Sequence, residues 1–159
     1  MGKVVSREEL VSIRTLLKTQ KKKVVFTNGV FDILHRGHVE YLQKAKALGD
    51  ILIVGMNTDA SVKKIKTDGR PIVQEQDRAH VLAALAAVDY VCLFSEETPY
   101  ELLKALVPDV LVKGADWAVD AVVGKDIVEQ AGGSVQTIEF LPQRSTTNII
   151  KTIKERFSS

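Results

Sequence analysis

A single cysteine, Cys92, stands among 159 residues, so no disulfide framework can form within the chain. It lies in the apolar stretch Tyr90-Val91-Cys92-Leu93-Phe94, where a buried structural thiol is expected rather than a nucleophile or a metal ligand. Long apolar runs are also missing. None approaches the roughly 20 residues that span a bilayer, and Met1-Gly2-Lys3 leads into the polar Ser6-Arg7-Glu8-Glu9 rather than an apolar signal core. A cytoplasmic setting with no membrane partner is the expectation. Nor is there an excess of one charge: 22 basic against 20 acidic side chains leave a formal +2, which argues against a general nucleic-acid or membrane-surface binder. Any anion site must be local. No internal repeat or low-complexity tract appears, and the length suits one globular domain, an N-terminal helix within residues 1–20 followed by a core over 21–159.

What is present is an alternation of short β-branched runs with helical patterns. Ser6 and Glu9 form a capping box for a first helix through Leu10, Ile13 and Leu16-Leu17, closed by Lys21-Lys22-Lys23, a basic cluster suited to a helix C-terminus. Strands are expected at 23–27, 50–56, 90–94, 110–113 and 134–138, and helices at 38–48, 75–88, 99–106, 124–131 and 146–157. The strands are almost wholly apolar, which calls for a parallel sheet buried on both faces. The fold class is therefore α/β: a Rossmann-like three-layer sandwich with a five-stranded parallel sheet in the order 3-2-1-4-5. Such sheets bind ligands beyond the carboxyl ends of their strands, where the strand order reverses beside the first strand. The longest expected loops, 58–76 and 114–123, are candidates for binding segments.

At the reversal point lies TNGVFDILHRGH, residues 27–38. Gly29 permits a sharp turn and close approach of backbone N–H groups to an anion, and Gly37 does the same at the helix start. His35 and His38 are three apart, so a helix beginning near Leu34 puts both rings on one face. Imidazole can donate to phosphoryl oxygens and gain charge as they become more negative. The residues alone leave three readings open: an anion site, ordinary packed or surface histidines, and a zinc site, although no cysteine or paired carboxylate nearby completes a metal shell.

The block TNGVFDILHRGH resembles the HxGH signature of the nucleotidyltransferase superfamily, the group of cytidylyltransferases and several adenylyltransferases. The resemblance extends through His38-Val39-Glu40-Tyr41-Leu42, Gly55-Met56-Asn57-Thr58-Asp59, Gly69-Arg70-Pro71, Asp77-Arg78, Lys113-Gly114-Ala115-Asp116-Trp117 and Arg144-Ser145-Thr146-Thr147-Asn148, covering about 21–157. Within it, the chain is most similar to bacterial D-glycero-β-D-manno-heptose 1-phosphate adenylyltransferases. That activity often occurs fused to a sugar kinase, for which 159 residues leave no room, so the likeness is to a stand-alone form. Val30 stands where the family pattern leads us to expect cysteine.

The resemblance implies transfer of AMP from ATP to the heptose 1-phosphate, giving ADP-heptose and pyrophosphate for lipopolysaccharide or related surface glycans. His35 and His38 would be catalytic. Thr27, Asn28, Gly29, Phe31, Gly37, Arg78, Lys113, Gly114, Asp116, Ser145, Thr146 and Thr147 would bind the nucleotide, and Asp32, Asn57, Asp59, Lys66, Arg70 and Trp117 the acceptor. Lys63 and Lys64 join Lys66 and Arg70 in a basic segment, while Lys46 follows the HxGH helix as a solvated residue or a phosphate contact. Mg²⁺ is implied as the counter-ion of ATP, with no protein ligand cage for a metal. A homodimer is implied as well, although no sequence patch establishes it. The alternative enzyme is a cytidylyltransferase acting on a small alcohol phosphate such as glycerol 3-phosphate; a non-catalytic nucleotide sensor is the alternative outside enzymology.

Overall fold

The computed structural model describes residues 1–66, 69–115, 118–142 and 144–157. Its strands are β1 (Lys3–Val5), β2 (Val24–Gly29), β3 (Ile51–Asn57), β4 (Tyr90–Phe94), β5 (Val110–Gly114) and β6 (Ser134–Ile138). The helices are α1 (Arg7–Thr19), α2 (Arg36–Lys46), α3 (Asp59–Ile65), α4 (Glu75–Ala83), α5 (Tyr100–Leu106), α6 (Lys125–Gln130) and α7 (Thr146–Phe157). The sheet is parallel throughout, in the order β1-β4-β3-β2-β5-β6. Among the described residues it has six strands, not the five expected. The extra strand, β1, is too short to show an alternating pattern and forms only by pairing Lys3, Val4 and Val5 with Tyr90, Val91 and Cys92 at the sheet edge. The five anticipated strands keep their relative order inside it.

Alternate residues of β2 explain why its sequence is continuously apolar. Val25 belongs to a core with Tyr41 and Leu42 of α2 and Leu82 of α4, whereas Val24 and Phe26 pack with Leu10 of α1, Leu103 of α5 and Val128 of α6. Both faces are covered, so neither can be polar. Cys92 is buried in the second of these cores, and burial pushes its thiol up to about 11, which makes it inert as a nucleophile at neutral pH.

Local chemistry sets the ends of the elements. Ser6 and Glu9 form the expected capping box on α1, and the helix stops where Lys21 turns left-handed at φ +54°. The expected loop 58–76 contains α3, because Thr58 caps the amide of Ser61 and Asp59 occupies the first turn. Helix α4 ends at Ala83 rather than at residue 88, since turn bonds from Leu85 to Leu82 and from Val88 to Leu85 bring Asp89 back to the amide of Leu52. Helix α2 begins at Arg36, two residues earlier than expected, with His35 as its extended N-cap.

Candidate active site

β2 pairs with β3 out to Gly29↔Met56, but its pairing with β5 stops at Phe26↔Leu111. Residues 27–29 and 112–114 therefore part company before either strand ends. The crevice opens at the reversal of strand order, and the chain leaving β2 crosses its mouth.

Thr27 is fully buried, and its hydroxyl shares a 2.7 Å hydrogen bond with Tyr41 of α2. Phe31 follows at φ +49°, an uncommon conformation for a residue with a Cβ. Its ring packs back over Gly29, where a Cβ would lie 3.0 Å from Phe31 Cε2, and stands 5.3 Å from the ring of His38. The imidazoles of His35 and His38 stack with centroids 3.9 Å apart and planes inclined by 23°. The structure thus brings the two histidines together, although His35 lies just outside the helix. Gly37 permits the stack.

Among the described residues, the buried side-chain polar atoms without a hydrogen-bond partner are Asn28 Oδ1, His35 Nδ1 and His38 Nδ1. All three belong to TNGVFDILHRGH, and leaving each unpaired costs about 1–3 kcal/mol. Such unpaired groups are what a polar ligand would satisfy. Burial, aided by the charge of Arg144, lowers the pKa of His35, and burial with the neighbouring His35 lowers that of His38 to about 4. Both rings are neutral at pH 7. Their nearly parallel planes direct the nitrogen lone pairs side by side rather than toward one point, which does not suit a shared zinc ion.

The amino end of α7 closes one side. Thr146 is buried and its hydroxyl donates to the carbonyl of Ile33 at 3.2 Å, while Ser145 Oγ accepts from the amide of Asn148 at 3.1 Å. Thr147 is exposed. Of the three hydroxyls expected to face an anion, two have structural partners, and what α7 offers is chiefly its first-turn amides and the positive end of its dipole. A groove of about 320 Å³ runs here, lined by His35, Arg36, Arg144, Ser145, Asn148 and Ile149 among others. Arg144, in sequence only a neighbour of the hydroxyls, comes close to α2: its Cβ would stand 3.2 Å from a Cβ on Gly37.

Several expected ligand contacts are turned inward. Arg78, expected to reach the nucleotide, has no exposed side-chain surface: Nε donates to Val73 O, Nη1 to Val30 O and Nη2 to Asp59 Oδ1. A guanidinium with every nitrogen engaged inside the fold is not free for phosphate. Asp32 is equally enclosed, accepting from Arg70 and from the amides of Ile72 and Val73. Burial alone would raise its pKa, but the two amides and Arg70 outweigh that and hold it below the usual carboxylate range. Arg70 is thereby committed to Asp32, and Asp59 to Arg78. Asn57 Nδ2 donates to Ser61 Oγ at 2.9 Å. Lys63, Lys64 and Lys66 are exposed at the end of α3. Lys46 stands away from the crevice, part-exposed and paired with Asp89 at the amino edge of the sheet. Lys113 and Gly114 end β5 beside the crevice, and Asp116 and Trp117 lie outside the described residues.

No helix among the described residues is long and apolar enough to cross a membrane. Nor do those residues contain a group of three or more His, Cys, Asp or Glu side chains placed to hold a metal ion. Two of the carboxylates expected at the site, Asp32 and Asp59, are bonded to arginines.

The chain is 52% identical over 156 residues to the bifunctional protein HldE of Syntrophotalea carbinolica, covering 98% of this chain and 32% of that protein. It is 54% identical over 152 residues to HldE of Wolinella succinogenes, covering 96% and 31%. It thus spans about a third of the length of these curated relatives. Among solved structures, the lipopolysaccharide core biosynthesis protein from Thermoplasma volcanium is 29% identical, with a TM-score of 0.63 over 76% of this chain and 97% of that one. Pantothenate synthetase from Thermus thermophilus, 16% identical with a TM-score of 0.63 over 98% of this chain and 70% of that one, shares the fold. Residues 26–156 match the family described as cytidylyltransferase-like, and the HxGH crevice falls within them: this chain belongs to that family.

Proposed function

We propose that the chain is a nucleotidyltransferase of one catalytic domain, residues 1–159, that transfers AMP from ATP to D-glycero-β-D-manno-heptose 1-phosphate, releasing pyrophosphate and forming ADP-heptose. The carrying observation is the pair of neutral, stacked imidazoles with unpaired Nδ1 atoms, one of which, His35, lines the groove at the amino end of α7. The family membership supports the reaction class. The identity to HldE over nearly the whole chain and the likeness to a lipopolysaccharide core biosynthesis protein support a surface-glycan sugar as acceptor.

A phosphate oxygen of the sugar attacks the α-phosphorus of ATP in line, and the bond to the β-phosphate oxygen breaks as pyrophosphate leaves. No covalent enzyme intermediate is required. The protein's part is positioning and charge stabilisation. His35 and His38 donate to the phosphates and become more basic as negative charge approaches, so the depressed pKa of the free site is reversed when it is filled. Asn28, Gly29, the α7 amides, Ser145 and Arg144 line the polyphosphate, and Lys113 and Gly114 lie on the opposite wall. Mg²⁺ would be held by phosphate oxygens and water, since Asp32 and Asp59 are engaged with arginines, and would supply counter-charge to the leaving group. Dependence on ATP fits a cytoplasmic setting, and a homodimer remains part of the reading.

The test is a panel of nucleoside triphosphates against heptose 1-phosphate and glycerol 3-phosphate, followed by pyrophosphate release. Turnover with ATP and the heptose phosphate is expected. Exclusive use of CTP with glycerol 3-phosphate would overturn the assignment in favour of an alcohol-phosphate cytidylyltransferase.

A further inference from the structure

The turn that carries Phe31 is braced by a closed ring of interactions. A residue with a Cβ in the left-handed region costs about 1–2 kcal/mol, yet Phe31 is buried there at φ +49°. On its carboxyl side, Asp32 accepts from Arg70 Nε at 2.5 Å and from the amides of Ile72 and Val73 at 2.9 Å. On its amino side, the carbonyl of Val30 accepts from Arg78 Nη1 at 2.5 Å, and Arg78 Nε donates to the carbonyl of Val73 at 2.9 Å. Val73 is held at both ends, and the circuit Val30, Arg78, Val73, Asp32 closes around Phe31.

The anchor is itself fixed. Arg78 Nη2 donates to Asp59 Oδ1 at 2.6 Å; Asp59 Oδ2 accepts from the amide of Glu75 at 3.2 Å, and Glu75 Oε2 accepts from the amide of Asp59 at 2.6 Å. The amino ends of α3 and α4 thus cap each other. Burying a carboxylate and a guanidinium costs several kcal/mol each in desolvation, and glycine at position 31 would remove the backbone strain at once. Stability alone does not account for the arrangement. What it does secure is the place of the Phe31 ring, tilted 59° against His38.

We propose that Asp32 and Arg78 are positioning residues, which hold Phe31 in its left-handed conformation and through its ring set the orientation of His38. They act at one remove from the reacting atoms. The kinetic part of the inference rests on the adenylyltransferase reading; the geometric part does not.

The experiment follows the His38 imidazole by NMR titration in the full chain and in Asp32→Asn, Arg78→Lys and Phe31→Ala, alongside steady-state turnover. In the unaltered chain burial and the neighbouring His35 are expected to hold the His38 midpoint at about 4. In each variant its midpoint is expected to move toward 6.5, and turnover to fall by about 10²-fold with little change in the KM for ATP. Phe31→Ala combined with Asp32→Asn is expected to lose little more than either alone, because both act through one ring. An unmoved His38 titration in folded Asp32→Asn overturns the proposal, as do losses that multiply in the double variant. If Asp32→Asn does not fold, an unmoved titration in Phe31→Ala overturns it equally. If no heptose phosphate is turned over, the imidazole titration still decides the geometry while the functional reading fails separately.

Discussion

A Cβ placed on Gly37 would stand 3.0 Å from both Nδ1 and Cε1 of His35. The glycine lies inside α2, where alanine is the better helix former by about 1 kcal/mol, so its presence is explained by the ring above it and not by the backbone. Gly37→Ala is expected to leave the thermal midpoint within a few degrees of its starting value while turnover drops by roughly tenfold or more, as the His35 ring is pushed off its stack. Differential scanning calorimetry and pyrophosphate release check the two halves. A parallel loss of both would mean that the glycine serves the fold.

His38→Ala should leave the fold intact and lower turnover by about 10²–10³-fold, the usual effect of losing one preorganised donor to developing charge. Near-ultraviolet circular dichroism verifies the fold, and turnover at saturating ATP reads the loss.

Burial and the adjacent His35 hold folded His38 near 4, against 6.5 for an ordinary imidazole. Between those values the unfolded chain binds a proton that the folded chain does not, so stability falls as pH drops from about 6.5 toward 4. Asp32 acts lower: its folded pKa is depressed, so its contribution is present above the ordinary carboxylate pKa and is lost as pH falls through the folded value. Urea midpoints at pH 7 and pH 5 should show the first loss, and His38→Ala should flatten it. Because phosphates raise the pKa of both imidazoles, ATP binding near pH 6 should take up protons. Calorimetry in buffers of different ionisation enthalpy measures that uptake.

At the opposite edge of the sheet, Arg14 of α1 donates to the carbonyls of Leu106 and Val107 at the end of α5 and to Asp109 Oδ1. Its removal leaves α5 carbonyls and a carboxylate without their cation. Arg14→Met is expected to cost about 2–3 kcal/mol, a fall of roughly 5–10 °C in thermal midpoint, with the KM for ATP unchanged.

The parallel class of the sheet and its two buried faces were legible because they follow from local pattern: continuous β-branched runs demand a doubly covered parallel sheet, and a reversal of strand order goes with that fold. The HxGH stretch does bring His35 and His38 together, but through an extended N-cap at His35 rather than a shared helix face. Strand β1 was not legible, since three residues carry no periodicity and owe their form to Tyr90, Val91 and Cys92 across the edge.

Charge is where sequence and structure diverge most. Arg78 reads in the sequence as a nucleotide contact and Arg70, Asp32 and Asp59 as acceptor contacts, and a residue's type fixes what it can bind. Which partner it finds is decided by distance between segments far apart in the chain, and here arginine and carboxylate meet each other and the backbone first. The sequence by itself determined the parallel class of the sheet, five of its described strands and its two covered faces, because hydrophobic period acts over neighbouring residues. Only the tertiary structure decided which charges face the crevice and which brace it, because a buried ion must be paired wherever the fold happens to bring its partner.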